Sequence, residues 1–295
     1  MYGNLTGMLL ENKYRIKEKI GKGGFACVYH VCDEHIQKDF ALKMIFMENH
    51  KNNYNNNTEP QTMFKEVHFL RQLNHKGLPQ LHDVFVYENT ICIVMELMQG
   101  ETLDAYIAKH GKFSEQEVWE IGKQLAEILR YLHGQSIPVI YTDLKPGNIV
   151  FHQGNVRMVD LGGAFQQFGN EKLFYATRGY AAPELERGES STRSDIYSFG
   201  RILIFMLTAR HPFLFAEEGL SRILKRYGVS RSLRKMIEKC IDKEPGKRFR
   251  SGNELMDYIN RKKGRRLRPG RKFFSRNYNR QILECECSLF VSQGL

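Results

Sequence analysis

The run Tyr141-Thr142-Asp143-Leu144-Lys145-Pro146-Gly147-Asn148 gathers a carboxylate, an ammonium and an amide within six residues. Pro146-Gly147 interrupts regular structure, so the three polar groups sit on a loop and can converge. An Asp at Asp143 can accept a hydroxyl proton, and a Lys two positions on can offset phosphate charge. An Asn five positions on offers a neutral oxygen to a hard cation. That set suits chemistry on a phosphorylated substrate.

Outward from this loop, further groups follow at fixed intervals. Asp160-Leu161-Gly162 lies twelve residues after Asn148, followed by Ala182-Pro183-Glu184 and then by Asp195 ahead of Tyr197 and Gly200. Upstream, Ile20-Gly21-Lys22-Gly23-Gly24-Phe25-Ala26-Cys27-Val28 is a glycine-rich turn between two apolar runs. Glycines there let backbone amides approach phosphates without a Cβ in the way. Lys43, in Ala41-Leu42-Lys43, stands on an otherwise apolar strand. Each feature has a plain reading when taken alone. The turn could be any hairpin, Lys43 a solvated strand edge, and Glu66 an exposed helix acid. Asp195 could merely favour a helix N-terminus, and Arg248 could be one more surface cation.

Six motifs in this order resemble the eukaryotic-type serine/threonine protein kinase family, its bacterial members in particular, over roughly residues 14–260. The resemblance implies an α+β fold of two lobes. Residues 1–98 would form a small antiparallel-sheet lobe with one helix, residues 99–260 a mainly helical lobe, and residues 261–295 a basic tail. It implies transfer of the γ-phosphate of ATP to protein Ser/Thr hydroxyls with Mg2+, or Mn2+ in its place. Carried over by position, Asp143 matches the catalytic base and Lys145 the lysine beside the transferred phosphate. Lys43 matches the lysine on the α/β-phosphates, Glu66 its carboxylate partner, and Thr177 the threonine beside the base. Asn148 and Asp160 match the metal ligands. Ile20, Gly21, Gly23 and Gly24 would cover the nucleotide, and Val28, Ala41 and Val150 would sandwich the adenine. Met95 would guard the back of that site, with Glu96 and Met98 lending backbone groups. Leu70, Leu81, Tyr141 and Leu161 match an apolar spine between the lobes, Glu184 and Arg248 a buried ion pair, and Asp195 an anchor for the catalytic loop.

Three positions depart from the family pattern. Tyr141 stands in place of histidine, Thr142 in place of arginine, and Leu161 in place of phenylalanine. Tyr141 and Leu161 keep apolar bulk. Thr142 removes the cation that commonly pairs with a phosphorylated activation segment, so the resemblance implies activity without that phosphorylation. The segment would then be held by packing of residues such as Phe165, Phe168, Leu173 and Phe174. Two rival readings use the same fold: a scaffold without turnover, and a kinase of small molecules. Intact Lys43, Asp143, Asn148 and Asp160 weigh against the first, and Ala182-Pro183-Glu184 with Thr177 weighs against the second.

Composition bounds the rest. The 295 residues are 42% hydrophobic and 26% charged, near globular averages, which excludes wholesale disorder. No apolar run approaches the ~20 residues of a membrane helix. No signal peptide is evident, and six scattered cysteines without a CxxC pair fit a reducing, cytoplasmic setting. The net charge of +11 is uneven: residues 261–280 carry ten Lys and Arg and no acid, leaving residues 1–260 at +3. Such a tail suits an anionic partner (nucleic acid, anionic lipid or an acidic protein) or simple solvation.

The expected elements are strands at 14–20, 26–33 and 40–47, a helix at about 60–74, and a hairpin at 81–86 and 91–95. Helices open at Ser114-Glu115-Gln116-Glu117 and Ser251-Gly252-Asn253-Glu254. An Asn-rich connector is expected at 49–57, and the seam between lobes near Gly100.

Overall fold

In the computed structural model, which describes residues 5–23, 26–46, 60–166, 177–215 and 219–263, strand alternation does the first sorting. On β4 (Lys38–Phe46), Ala41 and Ile45 belong to one apolar cluster and Phe40, Leu42 and Met44 to another, because successive side chains leave opposite faces. Lys43 shares the face of Ala41 and Ile45, which turns it into the interior rather than toward solvent. The hairpin partner β6 (Thr90–Glu96) sorts the same way, with Ile91, Ile93 and Met95 on the Lys43 side and Cys92 and Val94 on the other.

With β1 (Leu9–Leu10), β2 (Tyr14–Lys22), β3 (Ala26–Asp33) and β5 (Leu81–Tyr87), these strands form a six-stranded antiparallel sheet in the order β1-β2-β3-β4-β6-β5. Helix α1 (Pro60–Gln72) packs against it, burying Glu66, Phe69 and Leu70. This is the smaller lobe. The Asn-rich connector lies outside the described residues.

Gly100, at φ +124°, marks the crossing to the larger lobe. A Cβ there would stand 2.4 Å from the Phe151 carbonyl oxygen, so only glycine fits. Beyond it, β7 (Glu101–Thr102) joins β9 (Ile149–His152) and β10 (Asn155–Met158) in a three-stranded sheet, and β8 (Val139–Ile140) pairs with β11 (Phe165–Gln166). Both flank the loop around Asp143. Helix α2 (Leu103–His110) follows β7. Helix α3 (Glu115–His133) opens with the expected capping box, Ser114 against Glu117, and buries its stripe from Val118 to Leu132.

Helix α4 (Thr192–Thr208) is buried from Ser194 through Thr208, so it forms the centre of the lobe rather than one of its faces. Its own capping box, Ser191 with Ser194, is not among the sequence expectations. Helices α5 (Leu220–Arg226), α6 (Arg231–Cys240) and α7 (Gly252–Lys263) complete the base. Gly252 lets α7 touch α3, because a Cβ would meet the Arg130 amide nitrogen at 2.3 Å. Helix α7 runs through Lys263, so the first three basic residues after Asn260 continue the folded lobe.

Candidate active site

Three elements bring charge together between the lobes. Lys43 on β4 reaches Glu66 Oε2 on α1 at 2.6 Å and Asp160 Oδ1 at 2.7 Å. Lys43 is 9% exposed and Glu66 2%, so the pair is withheld from water. Burial opposes the Lys43 charge, but Glu66 and Asp160 outweigh it and move its pKa up. Burial likewise pushes the Asp160 carboxyl up, while Lys43 and the Gly162 amide pull it further down, leaving it ionised. Asp160 adopts φ +67°, a left-handed backbone uncommon outside glycine. That turn aims Oδ1 back at Lys43 while the side chain stays 44% exposed to the cleft.

The second cluster centres on Asp143. Its Oδ1 accepts the Thr177 hydroxyl at 2.8 Å, and its Oδ2 accepts the Asn148 side-chain amide at 3.0 Å. Lys145 Nζ lies 2.8 Å from Asp143 Oδ2 and 3.4 Å from Thr177 Oγ1. The Asn148 nitrogen also donates to the Asp143 carbonyl at 2.9 Å, which leaves the Asn148 side-chain oxygen as an acceptor. Asp160 Oδ2 is likewise left over once Oδ1 has bonded Lys43 and Gly162. Two hard oxygens fit Mg2+, which takes few protein ligands and completes its shell from water and phosphate. Among the described residues no group of three or more His, Cys, Asp and Glu forms a fuller metal cage.

The loop itself is hung from α4. Asp195, fully buried, accepts the Tyr141 and Thr142 amides at 2.8 Å each. Its Oδ2 also meets His133 Nε2 at 2.9 Å, and His133 Nδ1 accepts the Gly252 amide at 3.0 Å. So α3, α4 and α7 jointly fix the backbone before Asp143. His133 escapes the sequence reading, although a histidine closing an otherwise apolar stripe is a signal for a buried polar partner. Thr142, at φ +63° and 4% exposed, holds its hydroxyl 2.7 Å from both the Gly163 and Tyr141 carbonyl oxygens, which share its one proton.

The remaining positions fall around these clusters. Leu70, Tyr141 and Leu161 are buried, Leu81 is partly buried against the same core, and the Tyr141 hydroxyl donates to the Val159 carbonyl. Ala41, Met95, Met98 and Val150 are buried along the lobe junction, with Val28 partly buried against the core. The Glu96 amide donates to the Gln80 carbonyl at 2.9 Å. Gly21 pairs with Val28 across the glycine turn, Gly23 donates to the Ala26 carbonyl at 2.8 Å, and Ile20 stands 48% exposed above. Gly24, Phe168, Leu173 and Phe174 lie outside the described residues, while Phe165 is buried. Glu184 and Arg248 form a two-pronged ion pair, 2.7 and 2.9 Å, at 3% and 2% exposure.

Comparison with known proteins gives the family. Residues 14–258 match the family described as protein kinase domain. A probable serine/threonine-protein kinase of Clostridium acetobutylicum is 29% identical over 290 residues, covering 91% of this chain and 43% of that protein. The serine/threonine-protein kinase PrkC of Bacillus subtilis is 28% identical over 270 residues, covering 85% of this chain and 40% of its own length. Serine/threonine-protein kinase C of Synechocystis is 30% identical over 268 residues, covering 84% and 49%. The chain thus spans less than half the length of each of these relatives.

Proposed function

The chain belongs to the protein kinase family, and from that premise we propose that it is an active serine/threonine protein kinase using Mg2+ and ATP. The observation that carries the reading is Lys43 bridging Glu66 and Asp160 while Thr177, Asn148 and Lys145 surround Asp143. The two clusters offer fixed charges of the kind that phosphoryl transfer draws on, and such preorganisation supports the reading.

Asp143 would orient the substrate hydroxyl and take its proton, with Thr177 fixing the carboxylate plane. Lys145 would offset charge on the transferred group, and Lys43, braced by Glu66, would hold the α/β-phosphates. Asn148 and Asp160 would hold the metal, with Mn2+ able to replace Mg2+. The bound nucleotide supplies the phosphoryl group and the metal its charge compensation. Ile20 and Gly21, Gly23 and Gly24 would cover the phosphates, while Val28, Ala41 and Val150 would enclose the base beside Met95, Glu96 and Met98.

The finer reading is activity without a phosphorylated activation segment. Thr142 has no charge with which to hold such a phosphate. We also assign the basic tail an anionic partner and the protein a cytoplasmic place of work. Among the described residues no helix is long and apolar enough to cross a membrane.

The test is intact-mass spectrometry of a generic protein substrate after incubation with Mg-ATP, beside Asp143→Asn. Mass increments of one phosphate that vanish in the variant support the reading. A fully folded protein that leaves every protein substrate unmodified sinks it, and phosphorylated metabolites in its place would favour the small-molecule alternative.

A further inference from the structure

The near balance of residues 1–260 conceals a second asymmetry. Residues 219–280 hold 21 of the 44 Lys and Arg but only 5 of the 33 Asp and Glu. Residues 1–218 are left with a net charge of −3. The excess therefore begins well inside the folded lobe, at α5, and not at the tail.

On α5 the three exposed positions Arg222, Lys225 and Arg226 are all cations, spaced i, i+3 and i+4 on one face. On α6, Arg231 and Lys235 are exposed at i and i+4. Arg234 ties the two helices together by donating to the carbonyl and hydroxyl of Ser221, both at 3.2 Å. The two cationic rows are therefore held by one rigid unit. Their only acid is Glu238, and none of the five cations enters an ion pair among the described residues. Like charges kept close without partners cost stability, so the arrangement calls for a polyanion.

We propose that this α5–α6 face is a nucleic-acid-binding surface that grips the phosphate backbone without reading sequence. The large hydrophobics exposed among the described residues are Ile20, Ile36, Val86, Phe213 and Leu214, none of them between 219 and 263. Nothing on the face can therefore enter a bilayer, where lasting attachment needs apolar insertion beside charge. A phosphate backbone instead presents a continuous row of charge, about one per 1.7 Å of duplex axis, matching cations repeated along two helices.

The surface uses no residue of the Asp143 and Lys43 clusters, and its test needs no ATP. Fluorescence anisotropy of a labelled 20-nucleotide oligo(dT) and a 20-base-pair duplex is measured against the full chain from 50 to 300 mM KCl. Vesicles containing phosphatidylserine serve as the comparison. The wild type binds both oligonucleotides with affinity falling steeply in salt. The triple reversal Arg222→Glu, Lys225→Glu, Arg226→Glu weakens binding at least ~10-fold at 100 mM salt and flattens the log–log slope by about 2. Arg231→Glu with Lys235→Glu does so by somewhat less, and Arg222→Lys with Arg226→Lys restores it. Circular dichroism melting shows each variant folded; where the triple reversal is not, single Arg222→Gln and Lys225→Gln exchanges carry the comparison. Wild-type affinity and slope in the folded reversals would overturn the proposal, as would tight vesicle binding with no oligonucleotide binding.

Discussion

Thr142 gives its hydroxyl proton to the Gly163 carbonyl at 2.7 Å, tying the loop before Asp143 to the segment after Asp160. Where relatives commonly place an arginine that waits for a phosphate, this chain places a neutral bridge that forms on folding. Phosphatase-treated protein, confirmed unmodified by mass, should phosphorylate substrate from its first turnover without a lag. Thr142→Val, which keeps the shape and loses the hydroxyl, should lower kcat with little change in the KM for ATP. A lag that disappears on pre-incubation with ATP, tracking one phosphate within residues 162–184, would show that the segment is switched after all.

Lys43→Ala and Asp160→Ala should each reduce phosphoryl transfer by at least ~10²-fold, because each removes fixed charge at the reacting phosphates. The Lys43 variant also leaves Glu66 buried without its cation, so urea unfolding should register a loss of stability. Near-wild-type turnover in either folded variant would contradict the roles given to them.

Thr177→Ala should depress kcat on the order of 10–10²-fold by freeing the Asp143 carboxylate to rotate. Thr177→Ser keeps the 2.8 Å donor and should recover most of that loss. Equal defects in both would mean that the methyl group, not the hydroxyl, is what matters.

Glu184 carries a pH prediction with a definite sign. Burial pushes its carboxyl up, but Arg248 and Ser194 hold it below its ordinary value of 4.5. A lowered folded-state pKa stabilises fully above the unfolded value and is lost as pH falls through the folded one. Urea midpoints should therefore drop below about pH 4.5, and Glu184→Gln should remove part of that dependence. At neutral pH, Arg248→Ala strands the buried carboxylate and should cost about 3–5 kcal/mol. Unchanged midpoints in Arg248→Ala would mean that the pair holds nothing together.

Much of this was legible in the residues because chemistry and spacing coincide. Asp143, Lys145 and Asn148 share one short loop, and Lys43 needs only strand alternation to be turned inward. The Ser114 capping box fixes where α3 begins. Other features depend on contacts that no local pattern encodes. His133 meets Asp195 across 62 residues and Gly252 across 119. The two-residue strands β7, β8 and β11 are too short to show a period. The charge of residues 219–260 was masked by averaging over a body that is acidic elsewhere. Helix α7 continues to Lys263 through a run of cations that carries no local stop signal.

The Glu184–Arg248 fork also orders two events during synthesis. Its halves are 64 residues apart, so at ~5–20 residues per second the carboxylate waits roughly 3–13 s for its cation to leave the ribosome. Until then the turn at Pro183–Glu184 carries an acid without its cation. Polypeptides broken off short of residue 248 keep an acid that can be neither buried nor paired, which marks them for proteolysis.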